Sequence, residues 1–246
     1  MSAVLEPLLP LQVDPLARVL GEVDLSPPAT VSAGAVLRGP LRAGAGLTVH
    51  PGASLGGPAQ HRLGGAGAIE IGREVEVWEG ATIHRGSAAG CGTTRIGDRV
   101  MVMAYAHVGH DVQVGDEAVL SNGVQIGGHV HVDSKAVLGA RAAIHQFVRI
   151  GRGAMVAAGA LVSGDVPPWS LVAGDRARIV GANRVALGDA ERIDRVRRGL
   201  RRMAVPGTRG CDLLKELGGE HSEVRDLAAF LDAPSKRGIC RWGRRS

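Results

Sequence analysis

Twelve consecutive hexads, each opened by an aliphatic residue, run from Ile96 through Val102, Val108, Val114, Leu120, Ile126, Val132, Leu138, Ile144, Ile150 and Val156 to Val162. Self-similarity at a fixed period specifies a solenoid, whose units bury their apolar faces only against the units above and below. The frame extends backwards through Ile71, Val77 and Ile83, and earlier from Val13 through Val19, Leu25, Val31, Leu37, Ala43 and Val49 to Leu55. Two breaks interrupt it. Sixteen residues separate Leu55 from Ile71 and thirteen separate Ile83 from Ile96, ten and seven more than one hexad. The extra segments, 61–70 and 89–95, are expected to be loops pushed out of a continuous coil.

Composition agrees with a narrow coil. The chain holds 37 glycines and only 2% aromatic residues. The inside of such a coil has room for Val, Ile, Leu and Ala, and its tight corners favour glycine. Three cysteines (Cys91, Cys211, Cys240) at no metal-ligand spacing point away from a disulfide framework and toward a reducing compartment. With no signal peptide and no long apolar run, a cytoplasmic chain without membrane insertion is expected. A formal charge of +5 favours an acidic partner or substrate. It does not favour nucleic acid, because the basic residues are not interleaved with aromatics and gather near the C-terminus.

The hexads stop at Val166-Pro167-Pro168, since proline lacks the N–H that a sheet ladder needs. Residues 1–184 are therefore assigned to an all-β solenoid, a parallel β-helix. Residues 185–233 form a C-terminal helical region. One helix begins at Ala190 with Asp189 as its N-cap and Ile193, Val196, Leu200 and Met203 along one face; its opposite face carries Arg195, Arg197, Arg198, Arg201 and Arg202. A second amphipathic stretch, 211–231, is split at Gly218-Gly219 and restarts near Ser222. Residues 234–246 read as a disordered basic tail.

If three hexads make one triangular coil, positions eighteen apart stack, about 4.8 Å from one another. The hexads opening at Val108, Ile126 and Ile144 then superpose, and with them His110, His129 and His145. Removing the two insertions puts Ile83-His84 beneath Val108 and Leu55 beneath Ile83, so both loops leave beside the histidine column. Loops over a rigid scaffold are where sites are built. His110 is the candidate general base, a neutral imidazole near pH 7 whose tautomer a carboxylate can fix. Asp111 is adjacent, but neighbours in an extended chain point to opposite sides, so it reaches His110 only if the corner bends the chain. A zinc site built from His107, His110, His129, His131 and His145 is the competing reading. It is disfavoured, since His107 and His110 lie on different sides of a corner and no cysteine is near. Neither a metal nor a cofactor is expected.

Thr82-Ile83-His84-Arg85-Gly86, His107-Val108-Gly109-His110-Asp111, His145-Gln146-Phe147 and Gly164-Asp165-Val166-Pro167-Pro168, in this order and spacing, resemble the UDP-N-acetylglucosamine O-acyltransferases of lipid A biosynthesis over roughly residues 50–185. The resemblance implies a left-handed parallel β-helix and a homotrimer with active sites between subunits. It also implies transfer of a 3-hydroxyacyl group from acyl carrier protein to the sugar 3-hydroxyl. By position it makes His110 the base with Asp111 as partner, and places His84, His107, His129, His145 and Gln146 in the substrate groove. It further implies a backbone N–H near Gly128 as oxyanion donor and Ala158 as the residue that limits acyl-chain length.

Two departures from the family pattern stand out. Where the family has Gln-Asp followed by Lys, this chain has Gln60-His61-Arg62, and an imidazole replaces an anionic acceptor. The paired arginines expected a little beyond Asn183 to hold the diphosphate have no counterpart in Asn183-Arg184-Val185-Ala186, which leaves Arg184 or an arginine of the first helix to substitute. The alternatives are a diverged paralogue acylating another sugar nucleotide, such as a 3-amino analogue, and a non-catalytic β-helix binding protein.

Overall fold

The structure, a computed structural model, describes residues 10–62, 65 and 67–243. Its strands are two to five residues long and line three faces of ten, eight and seven strands. Pairing within the faces is parallel except at the C-terminal end, where Arg178–Ala182 runs antiparallel to Ser170–Ala173. The eighteen-residue stacking holds: on the second face Val108 pairs with Ile126 and Ile126 with Ile144. Across the insertions Leu55 pairs with Ile83 and Ile83 with Val108. The N-terminal coils keep the same register, with Leu11 on Ala29, Val19 on Leu37 and Val23 on Leu41.

Each hexad has two inward positions. The opening aliphatic is one; the residue four later is the other, and Val112, Ala118, Val124, Val130, Ala136 and Ala142 are all fully buried there. Between them the residue three after the opening makes the corner. At Arg99, Tyr105, Asp111, Glu117, His129, Lys135, Arg141 and Phe147 its φ lies between 55° and 66°. This left-handed conformation costs a non-glycine residue roughly 1–2 kcal/mol, a strain that the stacked ladders offset.

The loops differ in extent from the expectation. The first occupies 58–67 and the second 85–92, because Ala68–Ile71 and Thr93–Ile96 pair along four residues and draw both loop ends into the sheet. The coil also continues past Pro167-Pro168. Both prolines lie in a turn, after which Ser170–Ala173 rejoins the first face beside Met155–Val156.

Four helices follow: α1 (Arg184–Leu187), α2 (Ala190–Met203), α3 (Gly210–Leu217) and α4 (Ser222–Asp232). Asp189 caps α2 by accepting the N–H of Arg192 at 2.9 Å. Val196, Leu200, Leu213, Val224 and Leu227 form the apolar centre of this bundle. No helix among the described residues is long and apolar enough to cross a membrane.

The segment expected to be a disordered tail is instead ordered over 234–243. The coil ends with exposed backbone edges, which the returning chain satisfies through bridges of Ile239 to Asp165 and Trp242 to Ile179. Cys240 is buried, and the Arg237 Nε–H donates to the Gln146 carbonyl at 2.9 Å. Residues 244–246 and 1–9 lie outside the described residues.

Candidate active site

Both loops leave the coil at the corner between the second and third faces, on consecutive coils. His110 and Asp111 occupy the same corner one coil higher. The left-handed φ of 61° at Asp111 bends the chain enough to bring the two side chains together, with His110 Nδ1 2.8 Å from Asp111 Oδ2. That contact was not decidable from the sequence, because it depends on the left-handed backbone at this corner.

The Asp111 carboxylate is sealed from solvent and surrounded by donors. The Ser87 hydroxyl donates to Oδ2 at 2.6 Å, the Ser87 N–H lies 3.1 Å from both oxygens, and the Gly92 N–H donates to Oδ1 at 2.9 Å. The Cys91 thiol adds a weak contact at 3.5 Å. Burial by itself would raise the carboxyl pKa. The hydrogen bonds from Ser87, His110 and Cys91 outweigh it and hold the pKa down to about 2. Asp111 is therefore an ionised acceptor at neutral pH, and His110 donates through Nδ1. The free Nε2 lies beside Gly128, where a Cβ would stand 2.7 Å from it.

Around this pair the histidines converge as the hexad arithmetic requires. His129 meets His110 edge-on at 4.9 Å and stacks flat on Phe147 at 4.7 Å, and Lys236 of the C-terminal segment lies 4.4 Å over that same phenylalanine. His61 from the first loop meets His110 at 5.9 Å. One coil below His110, His84 donates through Nδ1 to the Pro58 carbonyl at 2.7 Å and packs edge-on to His107, whose Nδ1 is 2.9 Å from Thr82 Oγ1. Burial, with His84 beside it, lowers the His107 pKa. Burial also lowers that of His129, against the pull of Asp111 and with help from His110, Lys236 and His61.

A groove of about 740 Å³ runs from this corner along the second face. Gln60, His107, His110, Gly128, His145 and Gln146 all line it. Its floor changes character along its length, from His107 and Gln125 to Ala143 and Leu161, and Asp175 and Arg176 stand at its upper end. Among the described residues the N–H of Gly128 takes no acceptor, while those of Gly127 and His129 are used by Ile144 and His110.

Of the residues picked from the sequence, His61, His84 and His129 pack at the corner without lining the groove, and three others lie away from both. Asn183 is the N-cap of α1, its side chain accepting from the Ala186 N–H and donating to the Gly153 carbonyl. Arg184 follows it in that helix, and Ala158 is exposed on the turn that enters Leu161–Val162. The sequence reading also missed several residues. Gly92 sits inside the insertion read at 89–95, to which a six-residue frame assigns no coordinates. Ser87 falls in the hexad opened by Ile83, at an inward position that the frame marks as core, and belongs to the loop only because the structure starts it at residue 85. Asp175 and Arg176 lie past the prolines where the pattern was taken to end. His110, Asp111 and His129 bring three potential ligand atoms within 4.8 Å, but Asp111 is already committed to Ser87, Gly92 and His110.

Comparison with known proteins agrees with this corner. The bacterial transferase hexapeptide model matches residues 93–128, and the model for UDP-N-acetylglucosamine O-acyltransferase, domain 2, matches 165–240. An acyl-[acyl-carrier-protein]–UDP-N-acetylglucosamine O-acyltransferase of Halorhodospira halophila is 35% identical over 212 residues, covering 83% of this chain and 82% of its own. The enzyme of that name from Synechocystis is 33% identical over 208 residues, 81% of this chain and 75% of its own.

The chain belongs to this acyltransferase family.

Among solved structures, the UDP-N-acetylglucosamine acyltransferase of Francisella novicida superposes with a TM-score of 0.83 at 26% identity, covering 94% of each chain. The Moraxella catarrhalis enzyme superposes at 0.85 with 25% identity, over 94% of this chain and all of its own. The coil is accordingly the left-handed parallel β-helix of the UDP-N-acetylglucosamine acyltransferases. Within the family, the acyltransferase domain-2 match reaches residue 240, and so takes in most of the C-terminal segment that folds back over Asp165.

Proposed function

We propose that this chain transfers a 3-hydroxyacyl group from the thioester of acyl carrier protein to the 3-hydroxyl of UDP-N-acetylglucosamine, the first acylation of lipid A biosynthesis, with His110 as general base. One observation carries the reading: His110 gives its Nδ1–H to a buried, ionised Asp111 and keeps Nε2 at the groove beside Gly128. In this tautomer Nε2 accepts the proton of the sugar hydroxyl as its oxygen attacks the thioester carbon. The oxyanion that forms needs a fixed donor, and the Gly128 N–H is the candidate. When the carbon–sulfur bond breaks, the proton held by His110 passes to the departing thiolate, which leaves the ester and restores the base. Asp111, held to about pKa 2, stabilises the imidazolium without taking its proton.

The polar end of the groove suits the sugar and its apolar end, at Ala143 and Leu161, suits the acyl chain. Because Asn183, Arg184 and Ala158 lie off their own chain's groove, we place them at the groove of a neighbouring subunit in a homotrimer, where they would contact the nucleotide and the acyl end. Incubation with acyl carrier protein thioesters and UDP-N-acetylglucosamine, repeated with His110→Ala, tests the reading. The expected loss of turnover is about a thousandfold or more. Undiminished transfer by the variant would remove His110 from the reaction, and thioester hydrolysis without sugar acylation would point to another acceptor.

A further inference from the structure

We propose that Ser87, from the second loop, is a positioning residue for the base: its hydroxyl sets how strongly Asp111 holds the Nδ1–H of His110. The inference rests on the reading of His110 as base. Its foundation is that two donors share one oxygen. The Ser87 hydroxyl, at 2.6 Å, and His110 Nδ1, at 2.8 Å, both approach Asp111 Oδ2. The shorter of the two lies in the range of a charge-assisted bond and draws density from the atom that orients the imidazole.

The loop is built to bring Ser87 there. The Gly86 N–H is tied to the Ala68 carbonyl at 3.1 Å and the Gly90 N–H returns to the Ser87 carbonyl at 3.1 Å, closing a turn over the carboxylate. A side chain at Gly90 would collide with the Asp111 carboxylate, so the approach depends on glycine at that position. The Gly92 N–H fixes the other oxygen at 2.9 Å, which holds the carboxylate plane while Ser87 acts on Oδ2. Ser87 is fully buried behind Asp111 and has no access to the groove. Its influence on the reaction therefore runs through Asp111 and His110 alone.

Removing the hydroxyl leaves Oδ2 a stronger acceptor. It then bonds the Nδ1–H more strongly, favours the imidazolium and raises the proton affinity of His110, while the carboxylate, with one donor fewer, is free to turn and carries the imidazole out of line with the groove. For Ser87→Ala the acidic limb of the kcat/KM–pH profile is expected to move upward by roughly half a pH unit or more. The plateau should fall about ten- to a hundredfold. KM for both UDP-N-acetylglucosamine and acyl carrier protein thioester should stay within about twofold.

Ser87→Thr restores the donor and should recover both limb and rate. Ser87→Cys, similar in size with a weak donor, should fall between and serves if the alanine variant does not fold. Asp111→Asn, which removes the charge, should move the limb the other way. A limb that stays in place in both Ser87→Ala and Ser87→Cys overturns the proposal, as does a rise in KM with kcat preserved. If His110→Ala itself turns over normally, the base assignment fails and this role with it. If His110→Ala is inactive and the Ser87 limb does not move, only the role of Ser87 is lost.

Discussion

Gly128 shows how little room the reactive imidazole leaves. Its φ lies outside the left-handed region, so alanine is conformationally acceptable there, yet a Cβ would stand within 2.7–3.1 Å of three atoms of the His110 ring. Gly128→Ala is expected to lower kcat about a hundredfold, because displacing a base by a fraction of an ångström is costly. The thermal midpoint should barely change, and a melt alongside a steady-state assay checks both. Asp111 carries a second prediction. Its pKa is depressed to about 2, whereas an unfolded aspartate titrates near about 3.9. The stability it contributes is thus complete above the unfolded value and is lost as pH falls through the folded one. Asp111→Asn should flatten the decline in thermal midpoint between about pH 4 and pH 2, measured against the parent chain. At this scale the sequence was half legible. The stack of His110, His129 and His145 follows from counting by eighteen. The bond between His110 and Asp111 does not, because it depends on a corner residue with positive φ.

Among the elements, the hexads were readable because a coil admits only aliphatic residues at its opening positions. Their second inward position is not legible in the sequence, since alanine and valine there do not stand out in a chain rich in both. The insertions were locatable but not resolvable: their ends are recruited into strands by pairing of Thr93–Ile96 with Ala68–Ile71, a tertiary effect with no local signature. In α2 the five arginines of the polar face are not equivalent. Arg195 is bound to the buried Glu223 at 2.9 Å, Arg198 pairs with Asp194 and Arg202 with Glu216. Arg197 and Arg201 make no ion pair among the described residues and are both exposed. If the carrier protein of the proposed reaction docks on this helix, these two are the charges left to steer it. Arg197→Glu with Arg201→Glu should raise KM for the carrier about tenfold at low salt, with little change for UDP-N-acetylglucosamine. Arg195→Glu should instead destabilise the bundle by about 3 kcal/mol, since it sets a second carboxylate against the buried Glu223, which keeps only the longer pair with Arg192 at 3.6 Å.

For the whole molecule, one chain holds the base and the groove but keeps Asn183, Arg184 and Ala158 away from them. In the trimer proposed above, those residues would serve a neighbour's groove. Light scattering should give the mass of three 25.4 kDa chains. Subunits carrying His110→Ala and Arg184→Ala, each with reduced activity, should regain turnover when unfolded together and refolded as mixtures; additive activity would place both residues in one chain's site. The C-terminal segment was illegible as structure because its composition is that of a solvated tail, and its order comes from the open end of the coil it covers. That segment separates two moments in the life of the chain. Every side chain at the corner except Lys236 and Arg237 lies between Pro58 and Phe147, so a chain released from its N-terminus can stack these coils, one eighteen-residue turn at a time, before the helices have been made. Lys236 arrives over Phe147 about ninety residues later. The catalytic corner is among the first parts of the molecule that can form, and the contact that closes over it is among the last.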